Sequence, residues 1–261
     1  MIANDIKHIY FASDFHLGAP NYAESLKREK KVVRWLQHIQ DHVDVLYLVG
    51  DIWDFWFEYK RAVPKGYTRL LGKLAELSDA GVEIHFFTGN HDMWTFGYLE
   101  KELGIQVHRE PIEVSYFGKN YQIGHGDGLG PGDKKYKFLK RFFASGFCQW
   151  LLGRTHPNFS LGIGEYFSTK SRIVNTNADK IYLGEDEWLF QYCKEEVRSK
   201  PIDYFIFGHR HLPLELDIEG KATYFNLGEW INYCSYLHIE NGKEPKLKFF
   251  ESAYDKALNL N

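Results

Sequence analysis

The sequence is poor in the features that mark several large classes of protein. It has three cysteines in 261 residues, and no two of them have CxxC spacing. Disulfide scaffolds and structural zinc sites need paired cysteines, so we expect reduced, buried thiols in a cytosolic protein. No apolar run approaches the roughly 20 residues of a membrane-spanning helix. The N-terminal residues are acidic and polar where a signal peptide would be apolar, so we expect a soluble protein that can still touch a membrane surface.

An excess of charge of one sign is also lacking. The 32 basic and 35 acidic residues give a net charge of −3, which offers no electrostatic footprint for a nucleic-acid partner. What the chain does have is apolar residues, 44 % of the total, and aromatic residues, 17 %. That composition is typical of a packed core and not of a disordered chain. The length suits one domain with an elaboration, or two small domains.

Four apolar segments rich in strand-forming residues run directly into clusters of polar side chains. They are "YFASDFHLG" (10–18), "LYLVGDIWD" (46–54), "FFTGNHDMW" (86–94) and "YFIFGHRH" (204–211). Helical periodicity lies over 24–42, 67–81 and 186–200, so the pattern predicts an α/β sheet with helices on its outer faces. Ligands bind such sheets at the carboxyl ends of the strands, so we expect the polar clusters to share one crevice.

The spacing of the polar clusters predicts an insertion. His16, Asp51, Asn90 and His125 follow one another at intervals of 35, 39 and 35 residues, but the interval from His125 to His209 is 84. The excess lies in 128–185, which we interpret as a helical cap over the crevice, inserted into a core of 1–127 and 186–261. Antiparallel strands near the C-terminus predict a second sheet packed against the first. The apolar stripe of the cap consists of Phe138, Phe142, Phe143, Phe147, Trp150 and Leu151.

The side chains at the strand ends form a mixed set of nitrogen and oxygen ligands. Such a set suits divalent first-row metals better than calcium, and the absence of cysteine disfavours a structural zinc site. There are too many ligands for one ion, whereas two ions about 3.5–4 Å apart and bridged by one carboxylate would use them all. Asp51, at the end of a central strand, is the best bridging candidate. The set is Asp14, His16, Asp51, Asn90, His91, His125, His209 and His211.

A paired-metal site of this kind indicates hydrolysis of a phosphate ester or anhydride. Two metals polarise a phosphoryl oxygen, lower the pKa of a bound water and hold it for in-line attack. His91 would donate a proton or hydrogen bond to the phosphate or leaving oxygen, with Asp92 orienting the ring. A single histidine at a strand end is more often structural, so the prediction depends on all five motifs occurring in order.

The five motifs resemble those of the calcineurin-like metallophosphoesterase family. Asp-x-His, Gly-Asp, Gly-Asn-His-Asp, Gly-His and Gly-His-x-His are all present, and the resemblance covers the chain outside the cap. It implies a four-layer α/β/β/α sandwich with a di-manganese site, although iron and zinc also suit these ligands. In this family, His91 would assist the phosphate. The implied ligands are Asp14, His16, Asp51 and His211 for one metal, and Asp51, Asn90, His125 and His209 for the other.

Within that family, "SDFHLG", "HGDGLGPGDKKY" and "LGEW" resemble hydrolases that cleave the pyrophosphate of a UDP-linked diacylated glucosamine in the lipid A pathway. This implies a nucleotide-sugar lipid substrate, no obligate protein partner and peripheral association with the cytoplasmic face of the inner membrane. Many such hydrolases have arginine where this chain has His91, so the resemblance specifies the metal site more closely than the substrate. The implied substrate-binding residues are Asn90, Asp133, Tyr136, Asn177 and Lys180.

The cap and the ligand set bear on the alternative functions. An apolar stripe would bind two acyl chains, because each buried methylene contributes about 0.8 kcal/mol to the free energy of binding. Nearby lysines would bind anionic groups. The alternative for the stripe is an amphipathic helix packed on the core. Rival functions are a phosphoesterase for a soluble substrate, a nuclease and a non-catalytic protein-binding scaffold. The apolar cap argues against a soluble substrate, and the acidic charge balance argues against a nuclease. The complete ligand set argues against a non-catalytic scaffold.

Overall fold

The computed structural model describes residues 6–131, 134–175 and 181–252. Strands alternate with helices through the first part of the chain, as the periodicity predicts. A short parallel strand and a β-hairpin follow, then three helices in succession. The first elements are β1 (His8–Ala12), α1 (Tyr22–Ile39), β2 (Val45–Val49), α2 (Thr68–Asp79), β3 (Glu83–Phe87), α3 (Tyr98–Leu103), β4 (Gln106–His108), β5 (Ile112–Tyr116) and β6 (Lys119–Gly124). The helices are α4 (Lys134–Phe143), α5 (Gly146–Leu152) and α6 (Pro157–Asn175).

The C-terminal part returns to the core. A short 3-10 turn at Gly184–Asp186 leads into a helix, and the remaining elements are strands. These are α7 (Trp188–Glu196), β7 (Tyr204–Phe207), β8 (Pro213–Ile218), β9 (Ala222–Leu227), β10 (Ser235–Glu240) and β11 (Lys246–Phe249).

The strands form two sheets. The first has six strands in the order β11-β10-β1-β2-β3-β4, and β1 to β4 are parallel. The second has five strands in the order β5-β6-β7-β9-β8. Of the C-terminal strands, β8 and β9 join the second sheet as predicted. The prediction is wrong for β10 and β11, because β10 pairs antiparallel with β1 and extends the first sheet, where Leu237 and Ile239 are fully buried.

Helices cover the outer faces of both sheets, which confirms the predicted α/β/β/α sandwich. Side chains from both sheets, among them Phe11, Tyr47 and Ile206, pack into one buried cluster between them. Helices α1 and α2 pack Trp35 and Leu74 on the outside of the first sheet, and α7 covers the second sheet. Residues 45–49 of β2 are all buried, as expected for a parallel strand covered on both faces.

Helices α4 to α6 lie between β6 and α7 along the chain, where the sequence predicts the inserted cap. They contact the core at several points: Trp94 Nε1 donates a hydrogen bond to the Phe143 carbonyl at 3.1 Å. Much of the predicted apolar stripe is exposed, with Phe138 at 73 % and Phe147 at 66 %. That exposure contradicts the alternative in which the stripe is packed on the core. The division at 128–185 stays a prediction, and no helix among the described residues is long and apolar enough to cross a membrane.

Candidate metal centre and active site

The predicted ligands stand just beyond the carboxyl ends of strands from both sheets. Asp14 and His16 follow β1, Asp51 follows β2, and His125 directly follows β6. Several have φ angles in the left-handed region that L-residues rarely adopt, including Asp14 at 55° and Asp51 at 53°. His16, His209 and His211 share this conformation, at 44°, 69° and 54°. Such backbone strain clusters at functional sites, where the surrounding structure holds it in place.

Backbone hydrogen bonds between neighbouring loops hold this conformation. The Asp14 amide donates to the Gly50 carbonyl at 3.0 Å, and the His16 amide donates to the Asp51 carbonyl at 2.9 Å. Gly89 is needed for close approach, because a Cβ there would lie 2.2 Å from Asp51 Oδ1. Gly89 therefore lets the loop after β3 pack directly against the Asp51 carboxylate in the loop after β2.

One group of ligand atoms gathers Asp14, His16, Asp51 and His211. All four lie within 4.8 Å of one another. Nε2 of His16 is 3.0 Å from Nε2 of His211, and Nε2 of His211 is 3.2 Å from Asp14 Oδ1. Two imidazole nitrogens that face each other across a carboxylate form a pocket suited to a cation, since each neutral ring can offer a lone pair.

A second group gathers Asp51, His125 and His209, again within 4.8 Å. His125 Nε2 lies 3.3 Å from Asp51 Oδ2, while its Nδ1 bonds the Val49 carbonyl at 2.9 Å. A hydrogen bond on the other ring nitrogen is the usual way to orient a histidine ligand. Asp51 belongs to both groups, which is the position that a bridging carboxylate would occupy. Asn90 lies between Gly89 and His91, both of which approach Asp51.

Orphaned polar atoms support the fit of divalent cations to these groups. Asp14 Oδ1, Asn90 Oδ1 and His125 Nε2 are buried, and none makes a well-aligned hydrogen bond within the described part of the chain, although Asp14 and His125 have charged neighbours at 3.2 and 3.3 Å. Buried polar atoms are nearly always satisfied, and each of these three belongs to a predicted ligand. Bound cations would satisfy all three.

The electrostatics of the two groups also favour cations. Burial alone would raise the pKa of Asp51, but the surrounding imidazoles, His125 first, hold that pKa well below its usual range. Burial opposes charge on His125 too, yet the Asp51 carboxylate raises the pKa of His125 to about 10. Burial, helped by His125, lowers the pKa of His209 to about 4. The carboxylates therefore stay ionised and generate a negative potential at the shared centre.

His91 stands beside the first group, with its ring held from the Nδ1 side. Nδ1 lies 2.8 Å from the Asp54 carbonyl oxygen and 3.1 Å from the Ser168 hydroxyl. The His91 and His16 rings meet edge to face at 5.0 Å. Since Nδ1 is engaged by the protein, Nε2 is the nitrogen left for a substrate.

The prediction that Asp92 orients His91 is wrong. The Asp92 carboxylate instead accepts hydrogen bonds from the backbone amides of Gly89 at 2.7 Å and Ile52 at 2.8 Å. It therefore joins the loop after β3 to the loop after β2. Burial and the charge of Asp51 raise the pKa of Asp92 to about 7.

Two residues that sequence reasoning missed carry the contacts to His91. Asp54 supplies its carbonyl to His91, and its Oδ1 lies 3.6 Å from His16 Nδ1. The spacing "GDIWD" contained a signal for Asp54, a second acid three residues after Asp51. Ser168 comes from α6, and nothing in its local sequence marks it.

A buried ion pair fastens the loop that carries two of the ligands. Arg210, between His209 and His211, is 2 % exposed, and its Nε and Nη2 each lie 2.7 Å from the Glu187 carboxylate. Nη2 also donates to the Ile181 carbonyl at 2.8 Å. Sequence reasoning missed this clamp, which joins the ligand loop to the chain that enters α7.

The structure does not test most of the predicted substrate contacts. Asp133, Asn177 and Lys180 lie outside the described residues. Tyr136 falls within α4, but its side chain is not among those described. Of the predicted substrate-binding residues, Asn90 alone has a described side-chain position.

Comparison with known proteins places the chain in a family. Residues 7–213 match the family model described as calcineurin-like phosphoesterase, a range that includes every predicted metal ligand. The chain belongs to the calcineurin-like phosphoesterase family, and it is a hydrolase.

Two relatives share most of the chain. It is 40 % identical over 241 residues to the UDP-2,3-diacylglucosamine hydrolase of Porphyromonas gingivalis, with 87 % of this chain and 92 % of the relative covered. It is 25 % identical over 239 residues to the UDP-2,3-diacylglucosamine hydrolase of Aeromonas hydrophila, with 90 % and 95 % covered.

Proposed function

We propose that the chain is a two-metal hydrolase that cleaves the pyrophosphate of UDP-2,3-diacylglucosamine, giving UMP and 2,3-diacylglucosamine 1-phosphate in the lipid A pathway. The observation that carries the reaction is the pair of ligand groups that share Asp51. The substrate is taken from the relative in Porphyromonas gingivalis, to which the chain is similar over nearly its full length.

In this proposal one ion is held by the group around Asp14 and the other by the group around His125. Cations bound there, with manganese the first candidate and iron or zinc also suited, supply Lewis-acid polarisation of the phosphoryl group and of the attacking water. Asp51 contributes to both sites. The full assignment is Asp14, His16, Asp51 and His211 for one ion, and Asp51, Asn90, His125 and His209 for the other.

His91 acts on the substrate phosphate. Its Nδ1 faces the Asp54 carbonyl, an acceptor, so Nδ1 carries a proton. In the imidazolium form Nε2 carries a second proton, and that is the proton donated to the phosphate or the leaving oxygen. Burial lowers the pKa of His91, which favours release of that proton. The ring therefore serves as a positioned acid beside the metal groups.

Helices α4 to α6 receive the acyl chains and contact the cytoplasmic face of the inner membrane. The exposed apolar side chains of these helices support this, since large exposed apolar side chains that cluster mark lipid or protein contact sites. Arg154 lies 5.2 Å from the centre of the exposed Trp150 ring, an arrangement suited to a surface that meets anionic headgroups. We further propose that Asn90, Asp133, Tyr136, Asn177 and Lys180 contact the substrate.

The test is a turnover assay on the full chain after chelation, with manganese, iron or zinc added back one at a time. We expect hydrolysis of UDP-2,3-diacylglucosamine and of bis-p-nitrophenyl phosphate to return with metal, and much slower hydrolysis of a UDP-sugar without acyl chains. Return of diester hydrolysis without cleavage of the acylated substrate would reject the proposed substrate. A folded protein that cleaves neither with any ion would reject the proposed reaction.

A further inference from the structure

A buried hydroxyl from the inserted helices reaches the active site. Ser168 of α6 is 5 % exposed, and its Oγ lies 2.7 Å from Asp54 Oδ2 and 3.1 Å from His91 Nδ1. A serine hydroxyl has one proton and two lone pairs. The hydroxyl therefore donates to the Asp54 carboxylate and, together with the Asp54 carbonyl oxygen, accepts from the Nδ1 proton of His91.

The packing of α6 holds Ser168 at this position. Gly164 lies one helical turn before Ser168, on the same face of the helix. A Cβ at Gly164 would lie 2.3 Å from the Phe55 ring, so the helix backbone approaches the residue next to Asp54 as closely as a glycine allows. Two points of α6 thus contact adjacent residues of the loop after β2.

The contacts of Asp54 extend the effect of this hydroxyl to the metal groups. One oxygen of the carboxylate accepts from Ser168, and the other lies 3.6 Å from Nδ1 of His16, whose Nε2 faces the first ligand group. The hydroxyl therefore lies between the histidine that would protonate the leaving group and the carboxylate beside a predicted metal ligand.

We propose that Ser168 is a positioning residue through which the inserted helix sets the orientation of His91. The proposal rests on the proposed function in one respect, that His91 is the proton donor. Its consequence is that His91 is held for reaction only while α6 is docked against the loop that carries Asp54. The cap then contributes to the chemical step as well as to substrate binding.

The experiment compares Ser168→Ala with Ser160→Ala in the full chain loaded with manganese. Ser160 is the matched control, since it lies on the same helix, is 1 % exposed and bonds the Thr155 hydroxyl, away from His91. Two diesters are used, bis-p-nitrophenyl phosphate and diphenyl phosphate, which has the poorer leaving group and depends more on its protonation.

For Ser168→Ala we expect kcat on bis-p-nitrophenyl phosphate to fall about 10- to 100-fold, the range for losing a hydrogen bond to a charged group. The fall on diphenyl phosphate should be larger, while KM and bound metal stay unchanged. Ser168→Thr, which keeps the hydroxyl, should restore most of the activity, and Ser160→Ala should behave as wild type. An equal fall on both diesters, or a fall in Ser160→Ala of the same size, would overturn the proposal.

A second measurement tests the effect of Ser168 on His91 without any substrate. Imidazole nitrogen NMR of ¹⁵N-histidine-labelled protein, with His91 assigned by loss of its signals in His91→Gln, reports which ring nitrogen carries the proton. In zinc-loaded protein, which lacks the paramagnetism of manganese, and at a pH where the His91 ring is neutral, we expect a single Nδ1-protonated form in wild type and Ser160→Ala, and a shifted or mixed signal in Ser168→Ala. An unchanged His91 signal in Ser168→Ala would overturn the proposal, even if cleavage of the lipid substrate fails and the proposed function is rejected.

Discussion

The strand-end site and helices α4 to α6 expose their key side chains to opposite degrees. At the strand ends, Asp14 is 0 %, Asp51 1 % and His125 3 % exposed. On α4 and α5, Phe138 is 73 % and Phe147 is 66 % exposed. The first region places charge where water is excluded, whereas the second leaves large apolar rings in contact with water.

This difference in exposure separates the residues that promote the proposed reaction from the residues that bind its substrate. Burial strengthens the field of the carboxylates on a bound cation, because the local dielectric is low. Exposed rings do nothing for that field, but they offer apolar area to a partner that can cover them. We infer that reactivity depends on the strand ends and choice of substrate on helices α4 to α6, with Ser168 lying where the two regions meet.

The largest expected effect comes from the side chain that both ligand groups share. Asp51→Ala should lower hydrolysis of every substrate by at least about a thousandfold, because groups that act as a unit lose nearly all activity together. Turnover assays and metal analysis by mass spectrometry check this, with fewer than two ions expected per chain. The exposed Asp79→Ala is the control. Near wild-type turnover of Asp51→Ala would refute the shared-ligand assignment.

Placing charges on the exposed apolar stripe of α4 and α5 should weaken recognition of the acylated substrate and leave the hydrolytic reaction itself unchanged. Phe138→Glu combined with Phe147→Glu should lower kcat/KM for the acylated nucleotide by about tenfold to a hundredfold, since each site loses apolar contact and gains a charge to bury. Hydrolysis of bis-p-nitrophenyl phosphate should stay unchanged. Tyr22→Glu alters an aromatic that is 77 % exposed on α1 and serves as the control. An equal fall on both substrates would show that reactivity and recognition are not separable here.

Breaking the ion pair between Arg210 and Glu187 should weaken both the fold and the metal site. Glu187→Ala leaves Arg210 buried without its carboxylate, which should cost about 3–5 kcal/mol in free energy of unfolding, measured with urea. Because Arg210 lies between two predicted ligands, metal affinity should also fall, measured by competition with a chelator. The exposed pair of Lys221 and Glu219 gives the control, since Glu219→Ala should cost about 1 kcal/mol or less. Unchanged metal affinity in Glu187→Ala would show that the ion pair does not hold the loop of His209 and His211 in its metal-binding position.

The smallest expected effect concerns a histidine away from the ligand groups. Burial is the main cause that lowers the pKa of His85 to about 4 from an ordinary 6.5. The folded state therefore keeps His85 neutral, and its contribution to stability is complete above pH 6.5 and lost as the pH falls toward 4.

His85→Phe keeps the ring that stacks on Tyr47 at 4.4 Å but removes the titration. Urea unfolding at pH 7.5 and pH 5 should show a smaller acid-induced loss of stability in this variant than in wild type. His42→Phe provides the control, because its imidazole is exposed. Equal losses in wild type and His85→Phe would show that other groups account for the acid sensitivity.

The sequence predicted much of the fold because its signals are local. Strands β1, β2, β3 and β7 are compact apolar runs that end in Gly or polar residues, and α1 has buried residues at helical spacing. Sheet membership of β10 and β11 could not be read locally, since a C-terminal hairpin has the same pattern whichever sheet edge it joins. Short elements such as α3 and β4 also escaped prediction.

For the site, the sequence by itself determined the kinds of ligand and their order along the chain, because parallel strands bring their carboxyl ends to one edge. The sequence also singled out Asp51 as the bridging candidate. Tertiary structure alone decided that Asp92 binds backbone amides instead of His91, and that Ser168 of α6 reaches Asp54 and His91. The physical reason is distance along the chain. Ser168 is 114 residues from Asp54, and contacts at that separation depend on packing and not on any local pattern.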